Sequence, residues 1–271
     1  MVQRVFTRLV EVYRSALPDR PAHVIFDVGA RDCEDSGLFA QTFADATVHA
    51  FECNPDTLPA CRKMAASNGR IRLNENAVSD RAGRISFYQT DPDRTLTEAP
   101  ALAPGTSSMF VATGNYPEER YAQRKIDVEA ITLEDYIRKQ AIPAVDILWM
   151  DVQGAEVLVL KGLGKRIGDL ACIHAEVEFF EIYEGQAMYR DVDTLLRSLG
   201  FRLAGFTSYS RYAADAVYFH GGLGVSRVKL WARHGYLLRN WRKMLQHRCK
   251  RWLLKSMGLP QWPAPRSNVV Q

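Results

Sequence analysis

The sequence predicts an α/β fold built on a Rossmann-like, mostly parallel sheet with helices on both faces. Three observations carry that expectation. Residues 24–29 read Val-Ile-Phe-Asp-Val-Gly, an apolar run that ends in a turn glycine. Residues 47–52 read Thr-Val-His-Ala-Phe-Glu, and Glu52 falls 23 residues after Gly29. Beyond these two runs, strand-like and helix-like segments keep alternating across short connections. That order requires parallel strands joined by crossover helices, which cover the sheet on both faces.

Each element has its own local signal. Phe6, Leu9, Val10, Tyr13 and Leu17 recur at helical spacing, so an amphipathic helix precedes Pro18 and Pro21. Strand 24–28 leads to a helix at 36–44, strand 47–52 to a helix at 56–67, and strand 71–77 follows. Helix 132–140 feeds strand 146–151, and helix 155–163 feeds strand 171–177. Helix 190–199 precedes strands 201–206 and 216–220, which lie close enough along the chain to pair antiparallel. Between strand-like pieces at 84–89 and 125–130, residues 91–124 break the rhythm with Pro92, Pro100, Pro104, Gly105, Gly114 and Pro117. A loop of that length in a compact domain is either a functional lid or disordered, and its place near the ligand-binding edge favours a flap. The expected organisation is a helix at 1–21, a domain at 22–220 with the flap inserted, and a helical tail at 221–271.

Composition sets the outer bounds. With 271 residues, 47% apolar and 24% charged, the chain suits one large domain with appendages. The five cysteines form no C-x-x-C and no metal-ligand cluster, and no signal peptide opens the chain. The expectation is a cytoplasmic protein with free thiols. Cys33 and Cys53 both follow strand tips, which could make them neighbours, although inert small residues are the simpler reading. No run approaches the ~18 apolar residues of a membrane span. The net charge of +4 conceals an asymmetry: residues 1–220 hold 24 basic and 31 acidic side chains, a net of −7. After His220 there are eleven Lys and Arg and no acid.

The first two strands also speak to function. A turn glycine lets the backbone approach a ligand, and an acid at the next strand tip can accept hydrogen bonds from both hydroxyls of a ribose. A dinucleotide site would continue as G-x-G-x-x-G, but Arg31 and Glu34 occupy the second and third glycine positions. The phosphate cradle is missing. A ribose acceptor without that cradle fits a nucleoside that carries no phosphate, of which S-adenosylmethionine is the common one.

A third landmark is Asp146-Ile-Leu-Trp-Met-Asp-Val-Gln-Gly-Ala-Glu at 146–156, a buried strand ending in an acid and turning through Gly154 into a helix. Together with Phe-Asp-Val-Gly-Ala (26–30), Phe-Glu-Cys-Asn-Pro (51–55), Asn-Ala-Val-Ser-Asp (76–80) and Ile-Thr-Leu-Glu-Asp-Tyr (131–136), it resembles the FkbM family of S-adenosylmethionine-dependent methyltransferases. Residues 176–186 and Leu-Gly-Phe at 199–201 extend the match, which covers roughly residues 22–220 in the right order. The resemblance implies the seven-stranded methyltransferase sheet with one reversed strand, and O-methylation of a sugar, glycolipid-linked glycan or secondary metabolite. The chain departs from the family where Arg31-Asp32-Cys33 follow Ala30, and at Gln153, where the family often has Glu. The second departure speaks against a catalytic role for position 153.

Candidate residues follow from the rule that open parallel sheets bind ligands outside the carboxyl ends of their strands. Gly29, with Ala30 behind it, is the turn, and Glu52 the ribose acceptor, with Asn54 in the same loop. The plainer role for Glu52 is to cap the helix after Pro55. Asp27 sits inside an apolar strand and needs a partner, which could be the donor's methionine end or nearby backbone. Ala77 and Val78 are placed to offer backbone and apolar contact to adenine. Methyl transfer needs alignment, and a hydroxyl acceptor is helped by a base. Asp151 is the first candidate base, with a rival role of satisfying the N–H groups of the Val152–Gly154 turn. Glu156, in the first turn of the next helix, reads as a cap. Glu176 and His174 are the candidates on the next strand, although an interior histidine is more often structural. Asp151 with Glu176 could also hold Mg²⁺, but no spacing signature supports a metal.

The tail admits three partners. Leu230, Leu237, Leu238, Trp241, Met244, Leu245 and Trp252 share one arc of a helix over 228–257, with Arg233, Arg239, Lys243, Lys250 and Arg251 outside it. Such a helix suits an anionic membrane surface, which would place a cytoplasmic protein at the inner face of the membrane. It equally suits packing on its own domain or on a partner subunit. Nucleic acid is the weakest fit, since no base-stacking module accompanies the charges. Four activities compete: O-methyl transfer, methyl transfer to nitrogen or nucleic acid, NAD(P) binding, and a non-catalytic nucleotide-binding scaffold. The turn Asp151-Val-Gln-Gly lacks the Pro-Pro-aromatic sequence of amino-group chemistry on bases, and the missing glycines count against NAD(P).

Overall fold

Helix α1 (Val2–Ala16) buries Leu9, Val12 and Tyr13 against one face of a sheet whose strands come from the whole length of the chain. A computed structural model describes residues 2–262; residue 1 and residues 263–271, which include Arg266, lie outside the described residues. In chain order, β1 (Val24–Val28), α2 (Glu34–Thr42), β2 (Thr47–Phe51), α3 (Leu58–Ser67) and β3 (Ile71–Asn74) form the first half. Then come β4 (Ala77–Val78), β5 (Gly83–Thr90) and β6 (Gln123–Ile131). The second half holds α4 (Leu133–Lys139), β7 (Val145–Met150), α5 (Glu156–Gly162), β8 (Leu170–Glu178), α6 (Tyr189–Ser198), β9 (Phe201–Tyr209) and β10 (Ala213–His220). Helices α7 (Arg227–Arg233) and α8 (Gly235–Ser256) close the described chain.

The main sheet has seven strands in the order β3-β2-β1-β7-β8-β10-β9, with β10 alone running against its neighbours. This is the predicted Rossmann-like α/β arrangement. Apolar clusters fill both faces: α1 and α2 pack on one, α4, α5 and α6 on the other. β7 reads as a continuous apolar run because all six of its residues are buried. Asp146 within it is matched locally, accepting from Arg20 Nε (3.0 Å) and from the His23 and Val24 N–H groups (2.8 and 3.1 Å).

Two expectations change in detail. The strand expected at 71–77 splits, because Asn74 Oδ1 accepts the Asn76 N–H at 3.2 Å and turns the chain out of the sheet. Ala77 and Val78 then join a second, three-stranded sheet in the order β4-β6-β5. Residues 91–124 leave that sheet between β5 and β6 and are ordered by their own bonds, including the bridges Tyr88–Ser108 and Leu96–Arg120. The single tail helix expected at 228–257 breaks at His234, whose backbone leaves helical geometry while its ring nitrogen meets Ser15 Oγ at 2.9 Å.

Most of the tail's apolar arc is consumed by the domain. Leu230, Leu237 and Met244 are buried, and Trp241 and Leu245 half-buried, along the outer strand β9. Polar groups from three helices also reach carbonyls of β9. Trp231 Nε1 donates to Ala204 at 2.7 Å, Asn240 Nδ2 to Phe206 at 2.9 Å and Arg8 to Thr207. Buried carbonyls need such partners. Among the described residues no helix is long and apolar enough to cross a membrane.

Candidate active site

The sheet order reverses between β1 and β7, so their carboxyl ends splay around a crevice. Gly29 ends β1 at φ +82°, and a Cβ there would lie 2.0 Å from the Asp151 carbonyl oxygen. No side chain fits, and the Asp151 N–H bonds the Val28 carbonyl at 3.1 Å beside it. The Gly29 and Ala30 N–H groups both approach the Phe51 carbonyl at 3.0 Å, which fastens the loop to β2. Arg31 and Cys33 also take left-handed backbone, at φ +50° and +59°. Cys33 faces Cys61, not Cys53, because α3 packs beneath the loop; all the cysteines among the described residues are free thiols.

Glu52, at the tip of β2, accepts N–H bonds from Arg31 (2.7 Å), Cys53 (2.8 Å) and Asn54 (2.7 Å). It does not cap the following helix, which starts at Leu58 behind Thr57. Burial raises its pKa while the three N–H groups pull the other way. The crevice holds about 520 Å³ of empty space, its opening to solvent included. Glu52 stands on one side of it, and Ala77, Val78, Phe87 and Met109 supply an apolar wall. The flap contributes Pro104, Gly105 and Ser107. Asn54 ties that flap down: its Nδ2 donates to the Pro104 carbonyl and Ser107 Oγ, both at 3.2 Å, and its Oδ1 accepts from Gln89 at 2.8 Å. Asp27 is fully buried behind the loop, takes a hydroxyl bond from Ser36, and is pushed up to about 8 by burial and then by Asp35.

The acids at the ends of β7 and β8 divide their tasks. Glu156 Oε1 receives the Val152 and Gly154 N–H groups at 3.3 and 3.2 Å, while the Gln153 N–H between them falls to Asp151. Asp151 retains exposed surface on the cleft floor although protein surrounds it on most sides. Gln153 Nε2 donates to Asp151 Oδ1 at 2.6 Å and to Glu176 Oε2 at 3.1 Å, joining the two carboxyl groups through one amide. Burial raises Asp151, and the opposed Asp151 charge then drives Glu176 well above the ordinary range. The two carboxyl groups thus share their titration, which lies above the ordinary carboxylate range.

Gln153 adopts φ +52°, and its Oε1 lies 2.9 Å from the Tyr183 hydroxyl, which also approaches the Thr106 carbonyl at 2.7 Å. Its own carbonyl accepts Ser108 Oγ at 2.7 Å. The sequence singles out position 153 only as a departure that speaks against catalysis, and its backbone twist with a tyrosine thirty positions away places its amide between two acids. His174 does not join the pair. It is buried in β8, stacked on Trp149 with ring centroids 4.0 Å apart and bonded to Thr207 Oγ1 at 3.0 Å, and burial depresses it to about 3. Among the described residues no group of three or more His, Cys, Asp or Glu is arranged to hold a metal ion.

Residues 27–203 match the family model described as the methyltransferase FkbM domain. The 2-O-methyltransferase NoeI of Sinorhizobium fredii is 32% identical over 196 residues, covering 71% of this chain and 79% of that protein. The 31-O-demethyl-FK506 methyltransferase FkbM of Streptomyces tacrolimicus is 32% identical over 204 residues, covering 67% and 74%. Among solved structures, M. capricolum TrmK in complex with S-adenosyl-homocysteine aligns with 78% of this chain and 67% of that one, at a TM-score of 0.41 and 9% identity.

Proposed function

The chain belongs to the FkbM methyltransferase family, and on that footing we propose that it methylates a hydroxyl of a sugar, glycan or other small-molecule acceptor with S-adenosylmethionine as donor. The observation that carries this reading is the division of labour in the cleft. One acid has three N–H bonds and faces an apolar wall, while another, on the cleft floor, is joined to a third through the Gln153 amide. The names of both relatives carry O-methyl transfer.

The donor set fits the ligand. Glu52 Oε2 takes a single N–H, from Arg31, and so can accept a ribose hydroxyl, and Ala77, Val78, Phe87 and Met109 form the apolar surface an adenine needs. Arg31, the cation lining the cleft, is already paired with Asp32 at 2.8 Å, so nothing there recruits a phosphate. Asp27, held neutral by burial, would ionise beside an ammonium group. When bound, S-adenosylmethionine supplies an electrophilic methyl group on a sulfonium. Asp151 takes the acceptor's hydroxyl proton, which makes the oxygen nucleophilic as the new bond forms. Gln153 holds Asp151 in place, and through the same amide it ties Asp151 to Glu176.

Calorimetry with S-adenosylmethionine and with NADH, followed by transfer of a labelled methyl group to a panel of saccharides, tests the reading. Binding of the first ligand only is expected. Glu52→Ala should weaken that binding by roughly 1.5–3 kcal/mol, the value of hydrogen bonds to a charged acceptor. NADH binding, or unchanged affinity in a folded Glu52→Ala protein, would sink it.

A further inference from the structure

Helix α8 does not stop where its packing stops. It begins beside β9 with Leu237 against Gly205, places His247 Nδ1 2.8 Å from the Tyr209 hydroxyl at the carboxyl end of that strand, and runs on past the sheet. Beyond Arg251 the helix turns outward-facing and apolar. Trp252 (68% exposed), Leu253 (52%), Met257 (69%) and Leu259 (47%) have left the domain surface. The flap adds two more apolar side chains around the same edge, Leu102 (52%) and Val111 (38%). Aromatic contacts tie the two regions together: Trp262 meets Phe180 at 5.1 Å, and Phe180 meets Tyr116 of the flap at 6.2 Å. Both apolar groups therefore flank the edge of the sheet at which the cleft opens.

The charge along the distal half of α8 and on the Arg211 turn is of one sign, while Glu118 and Glu181 are exposed on the flap side of the edge. Arg211, Arg248, Lys250 and Lys255 form no ion pair within 4.0 Å among the described residues, and no acid follows His220 anywhere in the sequence. Arg248, Lys250 and Arg211 lie close enough together to depress the titration of His247 or Arg251 beside them, after burial has done so. Exposed Trp, Leu and Met set among unpaired cations is the composition of an interfacial contact: the rings enter the headgroup layer and the charges meet anionic lipid.

We infer that the carboxyl edge of the sheet docks on an anionic membrane surface through the distal half of α8, with the cleft mouth facing the lipid. The occupant is a bilayer: the unpaired cations call for an anionic surface and the apolar side chains at the helix end are of the kind that enters a headgroup layer, whereas nucleic acid gives no role to Leu253, Met257 and Leu259. The proximal stripe is excluded from the contact, since β9 already covers Leu237 and Met244. The acceptor hydroxyl is then one carried on a lipid. That clause rests on the proposed O-methyl transfer, whereas the docking does not.

The full chain is mixed with phosphatidylcholine vesicles with and without phosphatidylglycerol, and sedimented over a salt series. Binding only to the anionic vesicles is expected, falling as salt rises. Lys250→Gln and Lys255→Gln should each lower partitioning roughly fivefold, from about 1 kcal/mol per charge. Trp fluorescence should shift blue on binding in the wild type and not in Trp252→Ser, whose thermal melting and methyl transfer to a soluble acceptor should stay unchanged. Equal binding to neutral vesicles, or none, overturns the inference. So does Trp252-dependent self-association, or salt-sensitive binding to an RNA oligonucleotide, without vesicle binding. Because sedimentation needs no turnover, an inactive protein that still binds vesicles would fault the proposed activity alone.

Discussion

Tyr183 sets the rotation of the Gln153 amide: its hydroxyl, 2.9 Å from Oε1, leaves the Nε2 hydrogens to Asp151 and Glu176. Gln153→Leu removes both donors from a pair already raised by burial and by mutual repulsion. Loss of those bonds raises the pair further. Since the base must be ionised, activity falls as pH drops through the pair's apparent pKa, and the acid limb of kcat/KM should move to higher pH in the variant. Tyr183→Phe should show a weaker form of the same shift, with kcat down by up to about tenfold, the worth of one net hydrogen bond. An unmoved limb in both variants would reduce Gln153 to a turn residue.

Asp151→Asn keeps the shape of the cleft floor and removes the base. Turnover should fall by about 10²–10⁴, the range for a positioned general base, while affinity for S-adenosylmethionine changes little. Single-turnover methyl transfer and calorimetry on the same sample separate the two. Near wild-type transfer would pass the role to Glu176.

Asp27 offers a stability test. Its folded pKa of about 8 lies above the ordinary carboxylate value near 3.9, so the native state binds a proton that the unfolded chain has released. The corresponding stability is fully present below about pH 4 and is lost as pH rises to about 8. Asp27→Asn retains an acceptor for Ser36 and cannot ionise, so urea melts between pH 5 and 8.5 should show a flatter loss than in the wild type. Parallel curves would mean that Asp27 ionises normally in the fold.

Leu237 is fully buried, and a Cβ added to Gly205 would meet it at 3.0 Å, so it fills the surface of β9 closely. Leu237→Ala should destabilise the chain by about 2–5 kcal/mol, as large-to-small changes in a packed site do. Trp252→Ser, on the same helix but exposed, should stay within about 0.5 kcal/mol of wild type. Chemical denaturation of both tells whether the tail is part of the folding unit.

The alternation of elements and the acids at strand tips were legible because each depends on a few neighbouring residues. Gly29, Glu52 and Asp151 could be read from period and spacing alone. Contacts between distant segments could not. Nothing in the run Leu-Ala-Cys-Ile-His-Ala-Glu says that His174 stacks on Trp149, since that depends on the register of β7 against β8. The tail's apolar arc was visible, but its division between Met244, buried, and Trp252, exposed, depends on where the sheet ends. The sharing of the turn's N–H groups between Glu156 and Asp151 is likewise a matter of side-chain reach within one turn.

The carbonyls of β9 that Trp231, Asn240 and Arg8 cover have a bearing on biosynthesis. β9 reaches the sheet only through β10, which is made after it, and two of its three covers are made later still. A chain emerging from the ribosome thus carries a nine-residue strand whose outer hydrogen-bonding row has only Arg8 of these covers until Trp231 and Asn240 are free. During that interval the strand can pair with any other exposed edge, in another nascent chain or in an aggregate. Premature termination before residue 240 would leave that state permanent, so such truncated products should be insoluble even with every cleft residue intact.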